Sequence, residues 1–262
     1  MSNYNKFVNY KGNLKKKPWE YNVTVVIPTR DTPEQLDTCL EILQLQTEVP
    51  YIIIVNTGED TIEPKADNIE VHTIRGRGWQ HLSEPVCAAL DLSLTICRTK
   101  FWLSIHSDVF LQRQEVISEL LELTKVHKVV GWRNVPRYYP GWEFEVGHAL
   151  LMCDIQILRA NNINWSIRQF AAGQELGHTV FGPSSPDTES NFNYTLQAAK
   201  IRPYMLGTEK NRARNVNSYF DHPRGYTSAL FYSPAQLEKV NLHMQEALKD
   251  AKIRINTWKN TL

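Results

Sequence analysis

The chain has 262 residues, 42% apolar and 22% charged, which is ordinary for a globular protein with a sizeable core. Its formal net charge of +1 argues against a dedicated nucleic-acid surface, which would need a basic excess. No apolar run reaches the roughly 20 residues of a transmembrane helix and the amino terminus lacks a signal-peptide pattern, so we expect a cytoplasmic protein.

Cysteine usage agrees with that expectation. The cysteines are scattered without the spacing of metal ligands, which indicates small apolar core residues in a reducing compartment. They are Cys39, Cys87, Cys97 and Cys153.

The first 110 residues alternate between strand and helix patterns after a polar extension over residues 1–20. Apolar β-branched runs predict buried strands, and apolar residues at helical spacing predict helices. The strands are predicted at 23–27, 51–55, 69–74 and from 101 onward, and the helices at about 32–43 and 85–96. This alternation predicts an α/β fold with a mostly parallel central sheet flanked by helices.

The pattern is looser beyond residue 110. Helices are predicted at 117–126, 155–160, about 187–200 and 234 to about 250, with strands at 129–132, 147–153 and 202–206. Residues 171–187 hold three glycines and two prolines, which predicts a long loop. The stretch 207–225 is polar, and we expect a second loop there.

The strand that begins at Phe101 ends on a chemically distinctive tripeptide, His106-Ser107-Asp108. Side chains two positions apart on an extended backbone share one face, and ligands bind at the carboxyl ends of strands in α/β sheets. Imidazole nitrogen and carboxylate oxygen together suit manganese or a similar divalent cation. The alternative is a plain strand end, with Asp108 closing its own turn.

Four segments in this order resemble the family 2 glycosyltransferases of the GT-A fold, over roughly residues 23–225. Val23–Thr29 is similar to the family's opening strand, and Ile52–Gly58 to its strand with an acidic turn. His106-Ser107-Asp108 falls where the family has its Asp-x-Asp metal motif. The stretch from Thr188 to Leu196 falls where the family has its catalytic Glu-Asp-x-Asp-Leu sequence.

The resemblance implies a single-domain, inverting, metal-dependent glycosyltransferase. It would move a sugar from a nucleotide-diphosphate donor to the hydroxyl of a carbohydrate or glycoconjugate acceptor. It would divide the chain into an extension (1–20), a nucleotide-sugar half (21–110), an acceptor and catalytic half (111–232) and a C-terminal helix (233–262). The sugar, the base, the acceptor and the oligomeric state are not identified by the sequence.

The resemblance also implies a metal site made of Asp108, His106 and His222. A histidine downstream of the base often completes the metal shell in this family, and His222 lies in such a place. Two imidazoles and one carboxylate favour Mn²⁺ over Mg²⁺. His148 and His178 are weaker rivals, and a lone histidine is more often a packed group than a ligand.

The catalytic base is expected at Glu189, with Asp187 as the second choice. A carboxylate can accept the acceptor's proton as its hydroxyl attacks. The alternative for both residues is capping at a helix N-terminus, where acidic side chains are favoured without any catalytic role.

Donor-binding candidates share a place at the carboxyl ends of the early strands or beside the expected phosphates. They are Pro28, Thr29, Arg30, Asn56, Arg75, Ser107 and Arg224. Plain turn chemistry is the alternative, at least as good for Arg75. The aromatic middle of the chain, with Trp132 and Trp165 among others, indicates either an acceptor groove or core packing.

Three departures from the family pattern leave rival functions open. Asn56 replaces an acidic residue, His106 replaces the first aspartate of the metal motif, and Glu189 stands where aspartate is usual. A catalytically silent nucleotide- or sugar-binding protein of the same fold is one rival. A nucleotidyltransferase is another, although no glycine-rich phosphate loop follows Ile27.

Overall fold

The computed structural model describes residues 8–10, 16–76, 83–133, 143–166, 188–208, 215–216, 218–223 and 233–261. Within these residues eight strands form one sheet in the order β1-β4-β3-β2-β5-β8-β7-β9. The strands are β1 (Val8–Tyr10), β2 (Val23–Thr29), β3 (Tyr51–Asn56), β4 (Ile69–Thr73), β5 (Phe101–Ile105), β6 (Phe110–Leu111), β7 (Val129–Arg133), β8 (Val146–Asp154), β9 (Tyr204–Thr208), β10 (Asn215–Val216) and β11 (Phe220–His222).

The sheet is mostly parallel. Strands β4, β3, β2 and β5 run side by side in one direction, and β7 and β9 share it, whereas β8 and the edge strand β1 run the other way. The carboxyl ends of β2, β3 and β5 therefore meet at one edge of the sheet, together with the amino end of β8. We call this edge the carboxyl edge.

Helices cover both faces of the sheet. They are α1 (Pro33–Gln44), α2 (Glu84–Ile96), α3 (Val116–His127), α4 (Ile155–Ala160), α5 (Ser190–Ala198) and α6 (Pro234–Lys259). One apolar cluster joins the sheet to α1, α3 and α6, and a second joins the opposite face to α2, α4 and α5. A parallel sheet has to be covered on both faces because its strands are apolar on both sides.

The predicted α/β architecture is confirmed, and the predicted elements of the first half lie within one or two residues of those observed. All four cysteines fall within the described ranges, are buried and form no disulfide. Among the described helices, none is both long and apolar enough to cross a bilayer.

Three sequence predictions of structure were wrong. The extension contributes β1, which pairs with β4, and the predicted loop 207–225 contains β10 and β11, which form a small second sheet with β6. The C-terminal helix continues nine residues past Asp250, to Lys259. It continues because Ala251 and Ile255 extend its buried stripe, packed in the same core as α1.

Candidate active site

The tripeptide His106-Ser107-Asp108 forms a turn rather than the end of a strand. Strand β5 stops at Ile105, and the Val109 amide donates a hydrogen bond to the His106 carbonyl at 3.1 Å. The expectation that strand alternation places His106 and Asp108 on one face was therefore wrong in its reason. The turn itself brings the two side chains together, with 3.8 Å between His106 Nδ1 and Asp108 Oδ1.

His222 lies beside Asp108 because the second sheet pairs its strand with β6. Strand β11 pairs antiparallel with β6, with Phe220 opposite Leu111 and Asp221 opposite Phe110. Continuing that register sets His222 opposite Val109, next to Asp108. His222 Nε2 lies 3.5 Å from Asp108 Oδ1, so the closeness that the metal prediction required is present.

Among the described residues, His106, Asp108 and His222 offer three ligand atoms that all lie within 4.8 Å of one another. We call these residues the His-Asp-His triad. The side chains of Asp108 and His222 are 6% and 10% exposed, and that of His106 is 24% exposed, so the triad is open on the His106 side. The 3.5 and 3.8 Å separations are too long for good hydrogen bonds.

The triad fits a first-row divalent cation. Metal–ligand bonds of about 2.0–2.2 Å place ligand atoms about 3–4 Å apart, and the distances from Asp108 to the two histidines, 3.8 and 3.5 Å, lie in that range. His106 Nε2 and His222 Nδ1 are buried without a hydrogen-bond partner in the described part of the chain, so neither ring is committed elsewhere. Burial, then the neighbouring His148 and His222, lower the pKa of His106 well below its usual range. His106 is therefore neutral at physiological pH, as a ligand must be.

A second pair of groups adjoins the triad. Glu189 immediately precedes α5, and its Oε1 lies 2.6 Å from His148 Nδ1 on β8. The side chains are 10% and 9% exposed. His148 also contacts the triad, since its ring centroid lies 4.2 Å from that of His106. One imidazole thus separates the triad from a buried carboxylate.

The environment of Glu189 keeps it ionised. Burial alone would raise the pKa of Glu189, but the charge of His148 and its hydrogen bond outweigh burial and hold that pKa below its usual value. Hydrogen bonds from the backbone of Glu189 and His148 act in the same direction. The side chain makes no hydrogen bond that caps α5, so the capping alternative lacks support for this residue.

The hydroxyl groups at the carboxyl edge form a chain. Thr32 Oγ1 lies 3.0 Å from Thr29 Oγ1 and 2.9 Å from Ser107 Oγ, and all three residues are buried. These hydroxyl contacts connect the end of β2 and the start of α1 to the turn after β5. Ser107 is therefore hydrogen-bonded within the protein. Its contact with a nucleotide-sugar donor remains a prediction, as do the contacts of Thr29 and the buried Pro28 with that donor.

Asn56 uses its amide within its own loop. Its Nδ2 donates to the Asp60 carbonyl at 2.6 Å, and its Oδ1 accepts from the Gly58 amide at 2.8 Å. Asp31, with φ of 51°, accepts from the Glu59 amide at 3.0 Å, and a Cβ at Gly58 would overlap the Asp31 side chain. Only glycine allows this close approach, so the loop is held against the start of α1.

Of the three arginines of the donor prediction, Arg30 and Arg75 are described and are exposed at this edge. Arg75 Nη2 donates to the Glu59 carbonyl at 3.3 Å, and Arg30 Nε lies 3.8 Å from Asp31 Oδ2. These weak, solvent-facing contacts leave both side chains able to reach a ligand, and their role remains a prediction.

Some sequence predictions fall outside the described residues. Asp187, Arg224 and His178 are among them, so their roles remain predictions. Trp132 and Trp165 are described and lie in the core, 4% and 0% exposed, so neither presents a face to a sugar.

His148 is the residue that sequence reasoning undervalued. It was weighed only as a rival metal ligand, whereas it contacts Glu189. A histidine in an apolar strand gives no hint of such a partner, because the partner lies about 40 residues away, at the start of a helix.

Asp91 on α2 helps to hold Trp165, which packs against His148. Its Oδ1 accepts the Trp165 backbone amide at 2.8 Å, and the Trp165 ring lies 5.8 Å from that of His148. Burial raises the pKa of Asp91 to about 6, although the Trp165 hydrogen bond opposes that rise. The folded state therefore binds this proton more tightly than the unfolded state, so stability falls as pH rises from 3.8 to about 6 and stays at the lower level above that.

Replacing Asp91→Asn should stabilise the protein at pH 7.5, because the amide still accepts from Trp165 and carries no charge. A shift of about two pKa units corresponds to about 3 kcal/mol, and partial exposure should reduce the gain to about 1–2 kcal/mol. At pH 4, where the wild-type carboxyl is protonated in the folded state, the gain should disappear. Thermal melts at both pH values measure this, and an equal gain at both would contradict it.

No protein-family model matches the chain, and no curated protein matches its sequence. Solved structures do match. The 1–349 fragment of Staphylococcus aureus TarS, in complex with UDP-GlcNAc, is 15% identical over 84% of this chain, with a TM-score of 0.47. The chain spans 64% of that fragment's length.

Two further structures illustrate the range of the likeness. A mannosyltransferase from Pyrobaculum calidifontis, in complex with GDP-Man and Mn²⁺, is 12% identical over 93% of this chain and 77% of its own, with a TM-score of 0.47. A 2-C-methyl-D-erythritol 4-phosphate cytidylyltransferase from Thermus thermophilus is 12% identical over 86% of this chain and 99% of its own, with a TM-score of 0.43. The chain is therefore similar to solved glycosyltransferases and to a nucleotidyltransferase, at identities and TM-scores that assign no activity by themselves.

Proposed function

We propose that this chain is a metal-dependent, inverting glycosyltransferase of the GT-A type. It would transfer a sugar from a nucleotide-diphosphate donor to an acceptor hydroxyl, with a carbohydrate or glycoconjugate as acceptor. The observation that carries the proposal is the juxtaposition of the His-Asp-His triad with the buried Glu189–His148 pair at the carboxyl edge. Glycosyl transfer needs a cation site for the departing diphosphate beside a base for the acceptor.

The triad supports the first requirement. Asp108, His106 and His222 would hold the cation, which neutralises the departing diphosphate when bound. Two imidazole nitrogens and a single carboxylate favour Mn²⁺ over Mg²⁺, because Mg²⁺ prefers a shell of oxygen ligands.

Glu189 supports the second requirement. Its ionised carboxylate is the form that accepts a proton, and its burial excludes water that would compete for that proton. Thr29, Arg30 and Arg75 line the adjoining edge, where a diphosphate beside the triad would meet them.

A nucleotide panel tests the proposal. Thermal melts with UDP, GDP, ADP and CDP, each with Mn²⁺ or with EDTA, should give a metal-dependent rise for one base. At a ligand concentration about 100 times Kd the stabilisation is about 2.7 kcal/mol, which raises Tm by about 5–10 °C in a protein of this size. The matching nucleotide sugar should then slowly release its nucleotide in Mn²⁺.

The same panel separates the rivals. A silent binding protein would show the thermal shift without nucleotide release. A nucleotidyltransferase would release pyrophosphate from a nucleoside triphosphate and a sugar phosphate, and would leave nucleotide sugars intact in the absence of pyrophosphate. The absence of any metal-dependent shift would contradict the proposed transferase and a silent nucleotide-binding protein alike.

His222→Ala should weaken Mn²⁺ binding by at least about tenfold while leaving the metal-free Tm nearly unchanged, because it removes one nitrogen ligand and no hydrogen bond of the described residues. Mn²⁺ titrations of both proteins measure this. His127→Ala is the control for loss of an imidazole from the protein, since that exposed ring packs on Tyr204 outside the triad and its removal should not change Mn²⁺ affinity. A loss of stability with unchanged Mn²⁺ affinity would show that His222 only packs against its neighbours.

A further inference from the structure

An irregularity in β8 places His148 in the candidate site. Gly131 of β7 faces Leu151, but the next residue, Trp132, faces Gly147, so residues 148–150 of β8 have no counterparts on β7. On the other side, pairing with β5 continues, and the His106 amide donates to the Ala149 carbonyl at 3.3 Å. Bulges of this kind redirect side chains and are common beside functional sites.

The start of α5, which follows Glu189 directly, is fixed to the same strand. Asn193 is fully buried, and its side chain both accepts from the Val146 amide at 2.9 Å and donates to the Val146 carbonyl at 3.0 Å. The same amide group also donates to the Glu189 carbonyl at 3.1 Å. The backbone of Glu189 is therefore held against β8, and its contact with His148 is part of a built arrangement.

The His148 ring is held from two further sides. His106 lies against it at 4.2 Å between centroids, and Trp165 approaches at 5.8 Å with an interplanar angle of 64°. Trp165 is itself stacked on Phe192 of α5 at 4.1 Å. An imidazole packed in this way presents Nδ1 to Glu189 in a single orientation.

We infer that His148 is the positioning residue for Glu189, which it orients toward the acceptor hydroxyl through the Nδ1–Oε1 hydrogen bond. This inference rests on the proposed function, which it deepens. A glutamate side chain has three rotatable bonds, and the free energy of fixing them is saved when a rigid donor holds the carboxylate before the acceptor arrives. Because His148 also packs on His106, the base and the triad are aligned by one ring.

The geometry supplies matched variants. In asparagine the amide nitrogen occupies the δ position, as Nδ1 does in histidine, whereas in glutamine it occupies the ε position. His148→Asn retains a donor near Glu189, His148→Gln displaces that donor, and His148→Ala removes it. The three variants lose similar aromatic packing, so they differ mainly in the donor.

Steady-state hydrolysis of the nucleotide sugar identified by the panel provides the assay. His148→Ala should lower kcat by about 10- to 100-fold with donor KM within about twofold, because misplacing a catalytic group by about 1 Å can cost 10²-fold. His148→Asn should recover most of that loss, and His148→Gln should not. If the three variants are folded and their kcat values equal one another, the position of the donor does not matter and the inference is overturned.

A double-mutant cycle tests whether His148 acts through Glu189. In the Glu189→Gln background, His148→Ala should cause little further loss of kcat, whereas independent roles would give multiplied losses and overturn the inference. Thermal melts with the nucleotide and Mn²⁺ on every variant separate the two proposals. If the wild-type protein binds the nucleotide and hydrolyses the nucleotide sugar, and His148→Ala is equally active, only this inference is wrong. If the wild-type protein does neither, both the inference and the proposed function are wrong.

Discussion

The Asp108→Asn variant should lose metal-dependent nucleotide binding and transfer activity while keeping its metal-free melting temperature. Asp108 supplies the only negative charge of the His-Asp-His triad, and an amide oxygen is a far weaker ligand for a divalent cation. Substitutions one shell away from a metal cost about 10- to 100-fold in affinity, so loss of the charged ligand should cost at least about 100-fold. The fold should survive, because the Asp108 contacts with both histidines are longer than hydrogen bonds.

Asp154→Asn is the matched control for this experiment. Asp154 is as buried as Asp108, since the exposed fractions of the whole residues are 5% and 4%. It lies at the opposite end of the sheet, where it caps α4 by accepting a hydrogen bond from the Gln156 amide. Asparagine caps helices as well as aspartate does, so this variant should retain both stability and nucleotide binding. Manganese-dependent binding that persists unchanged in Asp108→Asn would show that the triad is not the metal site.

The sequence was most informative where structure is local. The β-branched run of β2, the apolar stripe of α1 and the run of β3 are each specified within about ten residues, and their order implies a parallel sheet. From that order alone, the carboxyl edge and the residues beside it were predictable. The closeness of His222 to Asp108 was expected only through the family resemblance.

The sequence was least informative where contacts are distant. Strand β11 exists because Phe220 and Asp221 pair with β6, which lies far earlier in the chain, and no periodicity within a polar stretch reveals such pairing. The role of His148 depends on a bulge whose register is set by β7, and on a helix docked through Asn193. Neither local propensity nor pattern encodes these placements.

Glu189→Gln should lower turnover by about 10²-fold or more with little change in donor affinity. Glutamine has the same shape and can still accept from His148 Nδ1 through its Oε1, so the pair and its surroundings should be preserved. What it cannot do is take a proton, and general bases contribute about 10²- to 10⁴-fold. The lowered pKa of Glu189 favours the lower part of that range, because a weaker base drives proton transfer less strongly.

Glu70→Gln provides the comparison that isolates this role. Glu70 is also a largely buried glutamate with a histidine partner, His72, at 2.7 Å, but it lies on β4, outside the candidate site. Its replacement should change thermal stability without changing kcat, whereas Glu189→Gln should do the reverse. Full turnover in Glu189→Gln would remove it as the base, and a larger loss in Asp187→Asn would transfer that role to Asp187. In either case the triad would keep its function, because the metal-dependent nucleotide shift depends on Asp108 and not on the base.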